Sequence, residues 1–404
     1  MTTIKACYTV TPNVSTPEGR YCYKEGGRLE LILNAKGAVL IEAETTKTIY
    51  DYGDFSPSES TKELIPKIHY DRPIEEIPLF VAQVTRFQNK DESFGFAIGI
   101  AYSHPLSDGV GCFNLLNSWA KISRGETPED NELPFLDRTI LKFSHTPIEP
   151  RFEHIELKPL PLIVGRSDND IERKKKTTAE LLKLTVEEVE KLKKKANEGD
   201  IPKGSRPYSR FEAITAHIWK SASKARELSE NQPSVVRFSA GIRDRIIPNL
   251  PKNYYGNALI QTAATSYIGE IKSKPLSYVA QRIREGNELI TNEYIRSQID
   301  IIRGFQHLDD ARKLFLGVEG KNAAYFVGNP NLHITSWMTM PAYEADFGWG
   351  KPFHIGMGSV TPFDKGLILM SPDGDGSVIV CMHFQVELMQ LFKKFFYGEI
   401  KSNL

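Results

Sequence analysis

The chain has 404 residues, 40% apolar and 25% charged. That balance excludes disordered and fibrous classes, and the length suits two cores rather than one. Lys plus Arg and Asp plus Glu both number 51, so no basic surplus draws the chain to nucleic acid or to an acidic membrane face. Cys7, Cys22, Cys112 and Cys381 lie far apart with no CxxC pair. Neither a metal site nor a disulfide framework is expected, and reduced thiols in a cytoplasmic protein are. The start of the chain has no signal-peptide core, and no apolar run reaches membrane-spanning length.

In chain order, residues 1–165 read as strands alternating with helices. RLELILNAKGAVLIEAET (28–45) holds two apolar runs around Asn34-Ala35-Lys36-Gly37, which predicts a hairpin. PLFVAQVTRFQ (78–88) and SFGFAIGIAYSH (93–104) flank the polar turn Asn89-Lys90-Asp91-Glu92 and predict an antiparallel pair whose second strand ends on His104. GVGCFNLLNSWAKISRG (109–125) sets Phe113, Leu116 and Ala120 at helical spacing and stops at Gly125. From 166 the composition turns polar. TAELLKLT (178–185) then predicts a strand, and VEEVEKLKKKANEG (186–199) an amphipathic helix ending at Gly199. Beyond GDIPKGSRP, SRFEAITAHIWKSASKAREL is strongly helical. A strand at SVVRFSAGI, helices from 275 to 316, strands at LHITSW and SVIVCMHFQV, and a closing helix ELMQLFKKFFYGEI follow. The fold class is α/β (α+β) with mixed sheets. The division is 1–165, a crossover at 166–205, and 206–404.

Two motifs carry chemistry. In His104-Pro105-Leu106-Ser107-Asp108-Gly109, a strand end holds an imidazole while the following turn leaves room for substrate. Histidine is the side chain best poised to take a proton near neutral pH, and Asp108 is placed to cap the next helix. A structural histidine at a strand–helix turn is the plainer alternative. Asp346-Phe347-Gly348-Trp349-Gly350 sets two glycines around an indole donor, or else makes an aromatic-packed turn. No kinase glycine loop, VAIK lysine or HRD segment accompanies its DFG.

In this order the two motifs resemble those of the BAHD acyltransferases. YTVTP near the start, PFLDR (134–138), LPKNYYGNA (250–258), GNPNL (328–332) and SW…MP before DFGWG carry the same resemblance along most of the chain. It implies two domains similar to chloramphenicol acetyltransferase, with an active-site channel between them. It also implies an acyl-CoA co-substrate, a small amine or hydroxyl acceptor, no metal and no bound cofactor, and a monomer. On that pattern His104 is the base and Trp349 the candidate oxyanion donor. Asp108, Gly109, Gly348 and Asp346 hold the loops, with Asp346 paired to Arg243 or Arg245.

Two departures stand out. Between Arg20 and Tyr21 the family carries a strand, a long helix and a PLAGR-like turn that this chain lacks. Gly241 also stands where the family has Asp, two residues before Arg243. Within the family the wording is most similar to spermidine hydroxycinnamoyl transferases. Thr339 occupies the place where shikimate and quinate transferases carry a carboxylate-binding Arg, which points to spermidine as acceptor of a hydroxycinnamoyl group. Asp300 and Glu344 are guesses from sequence position as partners for its ammonium groups, with a solvated surface the favoured reading of each. A shikimate or quinate O-transferase is the alternative, and an inactive truncated binding protein is the rival of another class. The run Arg173-Lys174-Lys175-Lys176 reads as a solvated crossover or as a phosphate contact. His145, His154 and His217 read as satisfied structural residues.

Overall fold

The structure is a computed structural model that describes residues 2–11, 19–88, 95–141, 151–167, 170–198, 204–308, 329–358 and 364–401. The first half builds a four-stranded sheet in the order β1 (Thr2–Val10), β4 (Ala38–Thr45), β5 (Phe80–Phe87) and β6 (Phe96–Tyr102). A two-stranded ribbon, β2 (Arg20–Tyr23) with β3 (Leu29–Ile32), stands beside it. Antiparallel pairing of β5 with β6 carries the chain to His104, as the apolar alternation predicts. The turn at 89–92 lies outside the described residues.

The hairpin expected over 28–45 does not form. β3 pairs back onto β2, while β4 runs antiparallel to β1 and parallel to β5. Two apolar runs specify two strands, but their spacing does not choose their partners. Gly37 makes the change of sheet possible: its φ is +71°, and a Cβ there would stand 2.2 Å from the Val10 carbonyl oxygen. Arg20–Tyr23 is one continuous strand. β1 is exposed along most of its length, with Ile4, Tyr8 and Val10 turned to solvent.

The second half is a six-stranded sheet in the order β7 (Thr177–Leu184), β12 (Val378–Gln385), β11 (Lys365–Met370), β10 (Leu332–Ser336), β8 (Pro233–Gly241) and β9 (Leu259–Tyr267). β10 is parallel to both neighbours and the other pairs are antiparallel. In chain order the helices are α1 (Glu59–Lys62), α2 (Gly109–Ser123), α3 (Asp170–Lys174), α4 (Val186–Ala196), α5 (Arg210–Ala225), α6 (Ile268–Ser273), α7 (Leu276–Glu288), α8 (Asn292–Gly304) and α9 (Val386–Lys401). Capping boxes start α4 at Thr185 and α5 at Ser209.

Val189, Leu192, Ile214, Ile218, Trp219, Val279, Ile283, Phe392 and Phe396 cover one face of the large sheet. The segment 166–205, expected as a crossover, therefore contributes β7 to this sheet and α4 to its core. Of its basic run, Lys174, Lys175 and Lys176 are exposed and Lys175 pairs with Glu172 at 3.2 Å. The Arg173 side chain lies outside the described residues, as do His145, Gly199 and the helix expected over 309–316. His217 is buried with Nε2 on the Phe396 carbonyl at 2.8 Å, and burial lowers its pKa to about 4. It is a packed structural residue.

Candidate active site

β6 delivers His104 to a turn that opens α2, and that turn is held by its backbone. The Ser103 N–H donates to the Leu79 carbonyl at 2.9 Å, and Asn257 Nδ2 donates to the His104 carbonyl at 2.7 Å. Arg138 Nη2 donates to the Leu106 carbonyl at 2.5 Å. The main chain is pinned from both halves while the His104 side chain stays exposed.

Asp108 closes the turn and is itself buried. Its Oδ1 accepts from the Gly111 N–H at 3.1 Å, capping α2, and its Oδ2 accepts from the Ala258 N–H at 3.0 Å. Arg243 forks onto both oxygens, Nη1 to Oδ2 at 2.8 Å and Nη2 to Oδ1 at 2.9 Å. Arg243 Nη2 also reaches the Tyr254 carbonyl at 3.1 Å. One carboxylate thus ties a turn of the first half to a loop of the second. Gly109 faces Met340 and Trp337: a Cβ there would stand 2.9 Å from the Met340 Sδ and 3.7 Å from the Trp337 Nε1. Beneath the turn, Tyr102 donates to the Tyr255 hydroxyl at 3.0 Å, and burial raises the pKa of both phenols.

Two expectations are corrected. Asp346 does not pair with Arg243, which belongs to Asp108, nor with Arg245, which binds Asn287 at 3.2 and 3.0 Å. The Asp346 Oδ1 instead accepts from the Gly348 and Gly350 N–H groups at 2.7 and 3.0 Å, and the first of these bonds leads in lowering its pKa. It folds its own loop, and the Arg124 guanidinium binds its carbonyl.

Trp349 is 63% exposed and stacks on Phe96, ring centroids 4.6 Å apart. Phe96 begins β6 and His104 follows its end. Six strand steps of about 3.3 Å separate Phe96 from Tyr102, or about 20 Å. Trp349 is therefore no oxyanion donor for chemistry at His104. The indole beside this turn is Trp337, whose ring meets Phe113 of α2 edge-on at 5.3 Å. The DFGWG loop docks the halves: Phe347 meets Trp119 of α2 at 4.9 Å. We expect Trp349→Phe to keep kcat within about threefold of the parent, as a substitution worth under about 0.5 kcal/mol does. A loss of two orders of magnitude in steady-state assays would return Trp349 to the chemistry.

The two guessed acceptor carboxylates each have a basic neighbour. Glu344 is exposed and pairs with Lys351 at 2.9 Å, and Asp300 lies 3.9 Å from Arg303 on α8. Thr339 is exposed in the turn after β10, next to Met340. Residues that sequence reasoning did not single out are Arg138, Asn257, Tyr102 and Tyr255. The first, second and fourth sit in the PFLDR and YYGNA stretches, where the wording signalled family but not role. Among the described residues, no group of three His, Cys, Asp or Glu side chains could hold a metal. No helix of the described residues is long and apolar enough to cross a membrane.

A buried Asp–Arg pair joins the two halves and presents an exposed histidine on the turn it holds. The description "Transferase family" fits residues 18–398, and the chain belongs to this family, the BAHD acyltransferases. Hydroxycinnamoyl-CoA:piscidic acid hydroxycinnamoyltransferase of Actaea racemosa is 41% identical over 379 residues, 93% of this chain and 83% of that protein. Shikimate O-hydroxycinnamoyltransferase of Nicotiana tabacum is 33% identical over 381 residues, 94% and 83% of the two chains. Among solved structures, vinorine synthase matches with a TM-score of 0.68 at 16% identity, covering 98% of each chain. The F. graminearum TRI101 structure with coenzyme A and T-2 mycotoxin matches with a TM-score of 0.73 at 16% identity, covering 95% of this chain and 91% of that one. At such identities the two structures speak for the fold alone.

Proposed function

We propose that the chain transfers a hydroxycinnamoyl group from coenzyme A to a hydroxyl or amine acceptor, with His104 as general base. The observation that carries this reading is an exposed imidazole on a turn whose main chain is fixed from both halves. His104 takes the proton of the acceptor's O–H or N–H as that atom attacks the thioester carbonyl. The tetrahedral intermediate collapses, the C–S bond breaks, and the coenzyme A thiolate takes the proton back from the imidazolium. No acyl-enzyme is required. Hydroxycinnamoyl donors are supported by the names of the relatives.

The acceptor has two readings. Relatives are named for piscidic acid, shikimate and 5-hydroxyanthranilate, which favours an acidic acceptor. Thr339, in place of a carboxylate-binding Arg, favours spermidine, but neither carboxylate expected to hold its ammonium groups stands unpaired. The acidic acceptor is the reading we favour. Purified protein offered p-coumaroyl-CoA with shikimate, quinate and spermidine separately is expected to give the higher kcat/KM on an acid. A spermidine preference that rises with pH, as neutral amine becomes available, and that weakens in Thr339→Arg would reverse the choice. Inactivity toward every acceptor, in a protein that melts cooperatively, would favour the binding-protein rival.

A further inference from the structure

We infer that a row of basic side chains across the second sheet, Arg237, His333, Lys365 and His383, forms a site for an oxyanion: a phosphate of the coenzyme A donor or the carboxylate of an acidic acceptor. The register sets these four side by side on successive strands β8, β10, β11 and β12: Arg237 opposite His333, His333 opposite Lys365, Lys365 opposite His383. Their chain neighbours Val236, Phe238, Leu332, Ile334, Met382 and Phe384 point into the helix-covered core. The row therefore lies on the opposite face, the one that also carries Leu367, Cys381 and Trp337. The first half comes against this side, where the Asp54 carboxylate acts on the Cys381 thiol.

Arg237 and Lys365 bear like charge on either side of the neutral His333, one strand apart, and burial adds desolvation. Nothing among the described residues offsets this at Lys365, which has no ion pair with any carboxylate there. Burial alone lowers its pKa. His333 is lowered to about 3 by burial, with Lys365 and Arg237 adding to the effect, and its Nε2 is buried without a hydrogen-bond partner among the described residues. Glu156, the carboxylate acting on Arg237, is taken by His154 Nδ1 and the Tyr294 hydroxyl, each at 2.7 Å, and by Gln298. Arg237 itself donates to the Lys158 carbonyl at 2.7 Å. His333, Lys365 and His383 each keep part of their surface exposed, while Arg237 is buried. Along β10, His333 lies four residues before Trp337, about 13 Å at the usual strand rise. A substrate extending away from the His104 end of the sheet would bring a charged group to it.

The naming of donor or acceptor rests on the acyl-transfer reading above, whereas the site itself does not. The test is calorimetric titration of the full chain with coenzyme A against pantetheine, and with shikimate against methyl shikimate. The parent, Lys365→Met and Lys365→Arg are compared. Binding needs no turnover, so a chain without activity would still answer. The parent should bind one charged compound about tenfold or more tightly than its uncharged counterpart, the worth of a charge-assisted hydrogen bond. Lys365→Met should lose that margin, and Lys365→Arg should keep it. Loss in the coenzyme A arm assigns the row to phosphate, and loss in the shikimate arm to carboxylate. Equal affinities in the parent and Lys365→Met overturn the inference. So does a parent with no preference for either charged compound, a result that needs no variant to fold.

Discussion

His104→Ala will lower turnover by about 10²–10⁴-fold, the usual worth of a positioned general base, while the thermal melt stays with the parent. Both halves of this expectation follow from the turn. Its main chain is held through the Leu79 carbonyl, Asn257 and Arg138, and none of these bonds uses the imidazole. Removing an exposed side chain leaves no cavity and no unpaired buried group, so the stability terms that follow core truncation do not arise. The fall should appear in kcat/KM with every acceptor alike, because proton removal is common to all of them. Single-turnover acyl transfer with one donor and two acceptors measures it. Turnover near the parent's would dismiss His104 as base, and a large fall in melting temperature would recast it as structural.

What the sequence made legible was the local part of this arrangement. Apolar runs flanking a polar turn specify β5 and β6, and the 3.6-residue spacing of Phe113, Leu116 and Ala120 specifies α2, so the sequence itself puts His104 at a strand end. Asp108 as helix cap was legible for the same reason, since Asp before a helix satisfies a nearby N–H. The partners across the chain were not. Arg243 stands 135 residues from Asp108, and two arginines of the IRDR stretch met two aspartates of equal appearance in the motifs. Only the fold pairs Arg243 with Asp108, sends Arg245 to Asn287 and leaves Asp346 to its own glycines. Trp349 misled in the same way: an indole between two glycines has the chemistry of a donor, but its distance from His104 is a property of the sheet. The basic row escaped notice because its members come from four strands, and a single Arg, Lys or His within an apolar run reads as an isolated surface residue.

Arg243→Met should destabilise the protein by about 3–5 kcal/mol, the cost of leaving one member of a buried ion pair without its partner. Asp108 keeps two backbone N–H groups, from Gly111 and Ala258, but these do not neutralise a carboxylate enclosed between the two halves. Activity should fall too, because the same pair fixes the turn that aims His104. The double variant Asp108→Asn with Arg243→Met discriminates the cause. With no charge left buried, it should recover part of the lost stability, since exchanging a whole buried pair for neutral groups costs less than breaking one. Arg245→Met is the control. It loses hydrogen bonds to Asn287 alone, worth about 1 kcal/mol each, and leaves the turn untouched. Denaturant unfolding of the four proteins at neutral pH provides the comparison, read at the midpoint with the slope held common. If Arg243→Met unfolds at the parent's midpoint, or if the double variant is no more stable than the single one, the Asp108–Arg243 pair is not what joins the His104 turn to the second half.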